Sequence, residues 1–215
     1  MTARRDWKVV LLRHGRTEWN ASGRFQGQMD SPLDGIGRAQ AEAAAVAVAP
    51  MRPTALVTSD LSRAADTAAA VAAEAGVEPV ADPRLREIYL GSWQGLTRAE
   101  ARAKFPEEYA AWQTGEDARR GDGETYAEVG ARAAACVTEW LETLGNGALL
   151  IAVTHGGTAR ATIGTMLDMP PDTWWRLAPL GNCRWSMLSD IGRGWRLEEH
   201  NAGSPPDEET GDDAR

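Results

Sequence analysis

Two apolar runs along the chain end the same way, in a polar residue followed by glycine. Val9-Val10-Leu11-Leu12 leads into Arg13-His14-Gly15, and Leu149-Leu150-Ile151-Ala152-Val153 leads into Thr154-His155-Gly156-Gly157. Unbroken apolar runs of this length read as buried strands, predicted over 7–13 and 148–154. Ala55 to Ser59 reads as a third short strand that ends in serine, and 77–80 as a short edge strand. Between them the pattern changes to helical spacing. Helices are predicted over 35–49 with Asp34 as N-cap, over 60–75 closed by Gly76, over 97–104, 106–114 and 125–143, and from just after Gly157. The late runs 184–189 and 194–199 read as a hairpin around Gly192-Arg193-Gly194. Segments 15–34 and 81–96 read as irregular. Strands alternating with helices predict the α/β class, a three-layer α/β/α sandwich whose mostly parallel sheet carries helices on both faces. Open sheets of this kind hold ligands at the strands' carboxyl edge. Two strands that each deliver a histidine there predict one site assembled from distant parts of the chain.

Length and charge narrow the picture. A chain of 215 residues is long enough for one domain with a sizeable core, assigned to 1–203. Residues 204–215 hold Pro205, Pro206, Asp207, Glu208, Glu209, Asp212 and Asp213 and no large apolar side chain. Such a segment does not offset its ordering entropy, so it reads as an acidic disordered tail. A net charge of −8 excludes a nucleic-acid partner, which needs a basic face. No apolar run approaches the roughly 20 residues that span a bilayer, so no membrane partner is expected. Nor does Met1–Asp6 open a secretory leader. Cys136 and Cys183 lack metal or redox spacing and read as reduced thiols of a cytoplasmic protein. An acidic body that binds phosphate must gather its arginines locally, and Arg13 stands beside His14 with a planar fork suited to phosphate.

Four segments carry a family resemblance. Arg13-His14-Gly15-Arg16-Thr17-Glu18-Trp19-Asn20, with its extension Arg24 to Leu33, is the first. Ser59-Asp60-Leu61-Ser62-Arg63 to Ala68, Leu85-Arg86-Glu87 to Gly95, and Val153-Thr154-His155-Gly156-Gly157 are the others. Together, in this order, they resemble the motifs of the histidine phosphatase superfamily, the phosphoglycerate-mutase-like fold. A lone Arg-His-Gly triplet recurs by chance, and four ordered motifs at element boundaries are far more specific.

The resemblance implies roles. His14 is the expected nucleophile, forming a phosphohistidine, since neutral imidazole is nucleophilic near pH 7. Arg13, Arg63 and a protonated His155 are expected to grip the phosphoryl oxygens, whose charge spreads over three equatorial positions. Asn20 and the amides of Gln26, Gly27 and Gly156 would add neutral donors, the last at a helix N-terminus. Glu87 would protonate the leaving oxygen and later activate water. Acting as an acid near neutral pH asks this carboxyl to keep its proton above the usual range. No metal or other cofactor is implied. The partner is a small phosphorylated substrate, and relatives together with the apolar C-terminal half point to a homodimer.

Blander readings accompany these. Glu87 would in that case only pair with Arg84 or Arg86, and Arg16, Arg84 and Arg86 read as surface or supporting residues. His200 reads as a bystander. Trp174, Trp175 and Trp185 read as core or subunit packing, while Trp19 and Trp93 lie inside motifs and are expected at the pocket mouth. The short stretch from Gly95 to Gly121-Asp122-Gly123-Glu124-Thr125 resembles the phosphatase branch rather than the mutases, which carry a longer insertion there. Arg119-Arg120 departs from that pattern. It reads as an exposed loop, with binding of a second anion as the rival. Leu90 to Thr97, Leu180 to Ser186 and Trp195 to Asn201 resemble the actinobacterial glucosyl-3-phosphoglycerate phosphatases, which implies a sugar-linked phosphoglycerate as substrate. A phosphoglycerate mutase and a non-catalytic binding member of the fold stay open as alternatives.

Overall fold

The computed structural model describes residues 5–203. The expected tail, 204–215, lies outside the described residues. In chain order the elements are β1 (Lys8–Arg13), α1 (Glu18–Ala21), α2 (Gly35–Val48), β2 (Ala55–Thr58), α3 (Ser62–Ala75) and β3 (Pro79–Ala81). Then come α4 (Arg98–Lys104), α5 (Pro106–Thr114), α6 (Tyr126–Leu144), β4 (Leu149–Thr154), α7 (Gly156–Met166), β5 (Trp185–Asp190) and β6 (Trp195–Ala202).

The strands form one sheet in the order β3-β2-β4-β1-β5-β6. β3, β2, β4 and β1 run parallel, and β5 and β6 close the sheet antiparallel as the expected hairpin. Side chains alternate across each strand. Val10, Leu12, Ile151 and Val153 face the alanines of α2 and α3. Val9, Leu11, Leu150 and Ala152 face Val137 and Leu141 of α6 and Ala159 and Ile163 of α7. Helices therefore cover both faces, the three-layer α/β sandwich read from the pattern. β1 and β4 lie side by side at its centre with Arg13 opposite Thr154. The next residues, His14 and His155, consequently leave the sheet together, and the His14 amide donates to Thr154 O at 3.0 Å.

The ends of the elements show what periodicity misses. Asp34 caps α2 as expected, its Oδ1 accepting from Gly37 N, and Gly76 closes α3 in the left-handed conformation. α3 starts at Ser62 rather than 60. The Asp60 carboxylate is spent on Arg86, and Asp30, from the preceding loop, accepts from both Ser62 N and Ser62 Oγ. α7 starts at Gly156 itself, two residues earlier than read. The segment 15–34 is not all loop: Thr17 and Asn20 form a capping box that sets the short α1. Four residues are too few for a hydrophobic period to reveal. Trp93 is fully buried, packed with Phe25, Phe105, Tyr109 and Trp112 in a satellite core under α4 and α5, and so is not at the pocket mouth. Trp174 and Trp185 are buried as read, whereas Trp175 is 49% exposed. Among the described residues no helix is long and apolar enough to cross a membrane.

Candidate active site

His14 and His155 face each other at the carboxyl edge with ring centroids 5.1 Å apart and planes inclined at 59°. Arg13, Arg63, Glu87, Asn20 and Gln26 are buried with them. The loop that carries His14 leaves β1 through a backbone crossing that admits no side chain. A Cβ on Gly15 would come within 2.3 Å of Gly37 O, and one on Gly37 within 2.0 Å of Arg16 O. Gly15 N also donates to Thr67 Oγ1 on α3, and Asn182 Nδ2 donates to His14 O, so the loop is anchored from two sides.

The His14 Nδ1–H donates to Gly15 O at 2.7 Å. That bond leaves the lone pair on Nε2, the form a nucleophile needs. Burial first, then the charges of Arg63 and Arg13, holds His14 well below the ordinary histidine value, so it is neutral at pH 7. Burial, Arg63, His14 and Arg13 lower His155 likewise. Two adjacent cations and a low-polarity surrounding disfavour a third charge. The protonated His155 expected to grip a phosphoryl group concerns the complex, in which the anion's charge opposes this shift.

The arginines are aimed by backbone carbonyls. Arg63 Nη1 donates to Met29 O and Nη2 to Gly27 O, each at 2.8 Å, and Arg13 Nη1 donates to Leu180 O. Gly27 thus serves through its carbonyl, a role the sequence did not indicate. Gln26 Oε1 accepts from Thr17 Oγ1, tying the loop after α1 to its cap. Asn20 Oδ1 accepts from Thr17 and Asn182, and its buried Nδ2 has no protein partner, so that amide N–H is the part left for a ligand.

Glu87 sits at the N-terminus of α7. Its Oε1 accepts from Ile88 N, Thr158 N and Thr158 Oγ1, and its Oε2 accepts from Gly157 N at 3.2 Å. A Cβ on Gly157 would lie 2.8 Å from Oε1, so glycine makes room for the carboxyl. The helix end foreseen as an anion site holds this carboxyl, as the helix dipole favours. Gly156, the first residue of α7, is also buried. Arg132 of α6 fastens the segment before Glu87, donating to the carbonyls of Arg84, Arg86 and Glu87. Arg84 and Arg86 pair with Asp82, Glu139 and Asp60, and Arg16 with Asp34, which leaves the bland pairing of Glu87 with Arg84 or Arg86 without support.

Sequence reasoning passed over Ser59, Thr158 and Asn182. Ser59 alone carried a signal, since it ends its strand as His14 and His155 end theirs. Arg119 and Arg120 diverge. Arg119 is exposed and pairs with Glu128, but Arg120 is 1% exposed, lying over the rings of Tyr126 and Trp112. The exposed-loop reading therefore fails for Arg120, because aromatic faces offer a guanidinium a favourable burial. His200 lies away from these residues, bridging Ser186 and Ala178.

Comparison with known proteins gives a consistent result. Residues 9–203 match the model of the histidine phosphatase superfamily (branch 1). A glucosyl-3-phosphoglycerate phosphatase of Mycolicibacterium vanbaalenii is 38% identical, over 91% of this chain and 94% of that protein. A probable phosphoglycerate mutase of Yersinia enterocolitica is 37% identical, over 89% of this chain and 91% of that protein. Among solved structures, a mycobacterial glucosyl-3-phosphoglycerate phosphatase in complex with VO3 superposes with a TM-score of 0.85 at 36% identity, covering 91% of this chain and 99% of that one.

Proposed function

The chain belongs to branch 1 of the histidine phosphatase superfamily, and from that membership we propose that it hydrolyses phosphomonoesters of a small phosphorylated metabolite through a phosphohistidine on His14. The observation that carries this reading is a neutral imidazole, its Nδ1–H fixed on Gly15 O, set against His155 and two buried arginines. Nε2 of His14 attacks phosphorus and the ester P–O bond breaks. The positive charge this places on the ring is shared with Gly15 O through Nδ1–H. Arg13, Arg63, His155, Asn20 Nδ2 and the amides of Gln26, Gly27 and Gly156 take the phosphoryl oxygens, replacing water with fixed dipoles and charges. The arriving negative charge favours the protonated form of Glu87, which gives its proton to the leaving oxygen. Water then attacks phosphorus, passes a proton to Glu87, and the P–N bond breaks to release phosphate.

The substrate we propose is glucosyl-3-phosphoglycerate, supported by the likeness over 91% of the chain to enzymes of that name. Mutase chemistry is the weaker reading, because Arg119, a cation available to hold a second anion, is spent on Glu128. We also place the enzyme in the cytoplasm, in keeping with two buried free thiols, and expect it to act as a homodimer.

The test is phosphate release in EDTA from p-nitrophenyl phosphate, 3-phosphoglycerate and glucosyl-3-phosphoglycerate, beside 3- to 2-phosphoglycerate interconversion with 2,3-bisphosphoglycerate present. Release without interconversion, abolished in His14→Ala, is expected. A preference for glucosyl-3-phosphoglycerate over the simple esters supports that substrate, and equal rates remove it. Fast interconversion with little release would make the protein a mutase.

A further inference from the structure

Ser59 takes no part in the steps above, yet it is fully buried and touches a site residue. It follows the last residue of β2, and its amide donates to Val153 O of β4 at 2.9 Å, two positions before His155. Its hydroxyl lies 2.9 Å from His155 Nε2. The same oxygen accepts from Leu61 N at 3.3 Å, in the turn that leads into α3 and Arg63. His155 Nδ1 is buried and has no protein partner.

These contacts allow two arrangements. If His155 carries its proton on Nε2, that N–H donates to a serine oxygen already accepting from Leu61. The serine hydroxyl hydrogen then has no acceptor, and a bare Nδ1 lone pair faces any anion that enters. If the proton is on Nδ1, the serine hydroxyl donates to Nε2, and every hydrogen outside the ligand's reach is matched. Buried polar groups left unmatched are costly, so the second arrangement prevails. A partner at one ring nitrogen selects which nitrogen holds the proton.

We propose that Ser59 is a positioning residue that holds His155 as the Nδ1–H tautomer, so that Nδ1–H is the atom given to a bound phosphoryl oxygen. His155 then serves as a donor without gaining a second proton. His14 and His155 share a tautomer for different reasons: a carbonyl takes Nδ1–H of His14 and exposes Nε2 for attack, while a hydroxyl occupies Nε2 of His155 and exposes Nδ1–H for binding. The binding half of the proposal rests on the phosphoryl-binding reading of the site.

Long-range nitrogen–proton correlation NMR on protein with labelled histidine, assigned with His155→Gln, reads the tautomer directly. The expected pattern is a pyrrole-type signal at His155 Nδ1 and a pyridine-type signal at Nε2; the reverse pattern overturns the proposal. Titration with inorganic phosphate should shift Nδ1 and its proton and leave Ser59 engaged. Ser59→Ala should weaken phosphate and orthovanadate binding on the order of tenfold and lower kcat with it, and Ser59→Thr, which keeps the hydroxyl, should restore most of both. Unchanged phosphate affinity in folded Ser59→Ala overturns the role. If that variant fails to fold, the wild-type tautomer still decides. Failure of the wild type to hydrolyse any ester would instead remove the proposed activity, and the nitrogen pattern would remain to be judged by itself.

Discussion

The nucleophilic role proposed for His14 requires a bare Nε2, and one backbone carbonyl, Gly15 O, secures that. Glu87 shows the same economy at a carboxyl. Oε1 is committed to three donors, whereas Oε2 accepts from Gly157 N. Glutamine at this position keeps the Oε1 bonds but sets an NH2, itself a donor, against the Gly157 N–H, so Glu87→Gln removes the transferable proton at the cost of that one bond. We predict a loss of roughly 10²- to 10⁴-fold in kcat on alkyl phosphates and a much smaller loss on p-nitrophenyl phosphate, whose leaving group departs without a proton. Steady-state rates on both substrates check this, and equal losses would end the acid assignment. The sequence disclosed the histidines, arginines and glutamate that gather here, but not Ser59, Thr158 or Asn182. It did not disclose that Arg63 is aimed by the carbonyls of Gly27 and Met29, or that Arg120 lies over aromatic rings, because neither partner is a neighbour in the chain.

At the level of elements, the site depends on how helices grip the loops that follow the strands. α7 offers its first amides to Glu87, and α6 reaches across with Arg132, whose fork holds three carbonyls of the 84–87 segment while its other contacts join Glu124. Arg132→Ala leaves those carbonyls without their charged donor. It should cost about 2–3 kcal/mol in stability by denaturant unfolding. It should also lower kcat more than it weakens phosphate binding, since Glu87 loses its bearing while Arg13 and Arg63 keep theirs. A KM-dominated effect with normal kcat would mean that the segment is held well enough without it. Local signals located α2, α4, α5 and α6 closely, because the caps Asp34, Thr97 and Thr125 bond within three residues and α5 opens on Pro106. They misplaced the start of α3, whose N-terminal amide is met by Asp30 from a loop far back in the chain.

For the whole molecule, two buried neutral histidines make stability depend on pH. Both lie well below the ordinary value of 6.5 in the folded state, so below that pH the unfolded chain binds protons that the native protein refuses. Stability should be undiminished above 6.5 and fall as pH drops toward 5, by up to about 1.4 kcal/mol per pH unit for each histidine. Thermal unfolding from pH 7.5 to 5 measures this, and His155→Asn should flatten the slope; an unchanged slope would place the titrating groups elsewhere. Apart from the four-residue α1, the order of strands and helices, the two apolar runs and the inventory of His, Arg and Glu were settled by the sequence alone, because burial of a short segment leaves a period that can be counted. The tertiary structure decided which donor meets which acceptor: Glu87 with amides 70 and 71 positions away, Ser59 with a histidine 96 positions away, and Trp93 with the core instead of the pocket. Such pairings depend on where the chain returns after a helix, and that return is set by packing across the whole sheet.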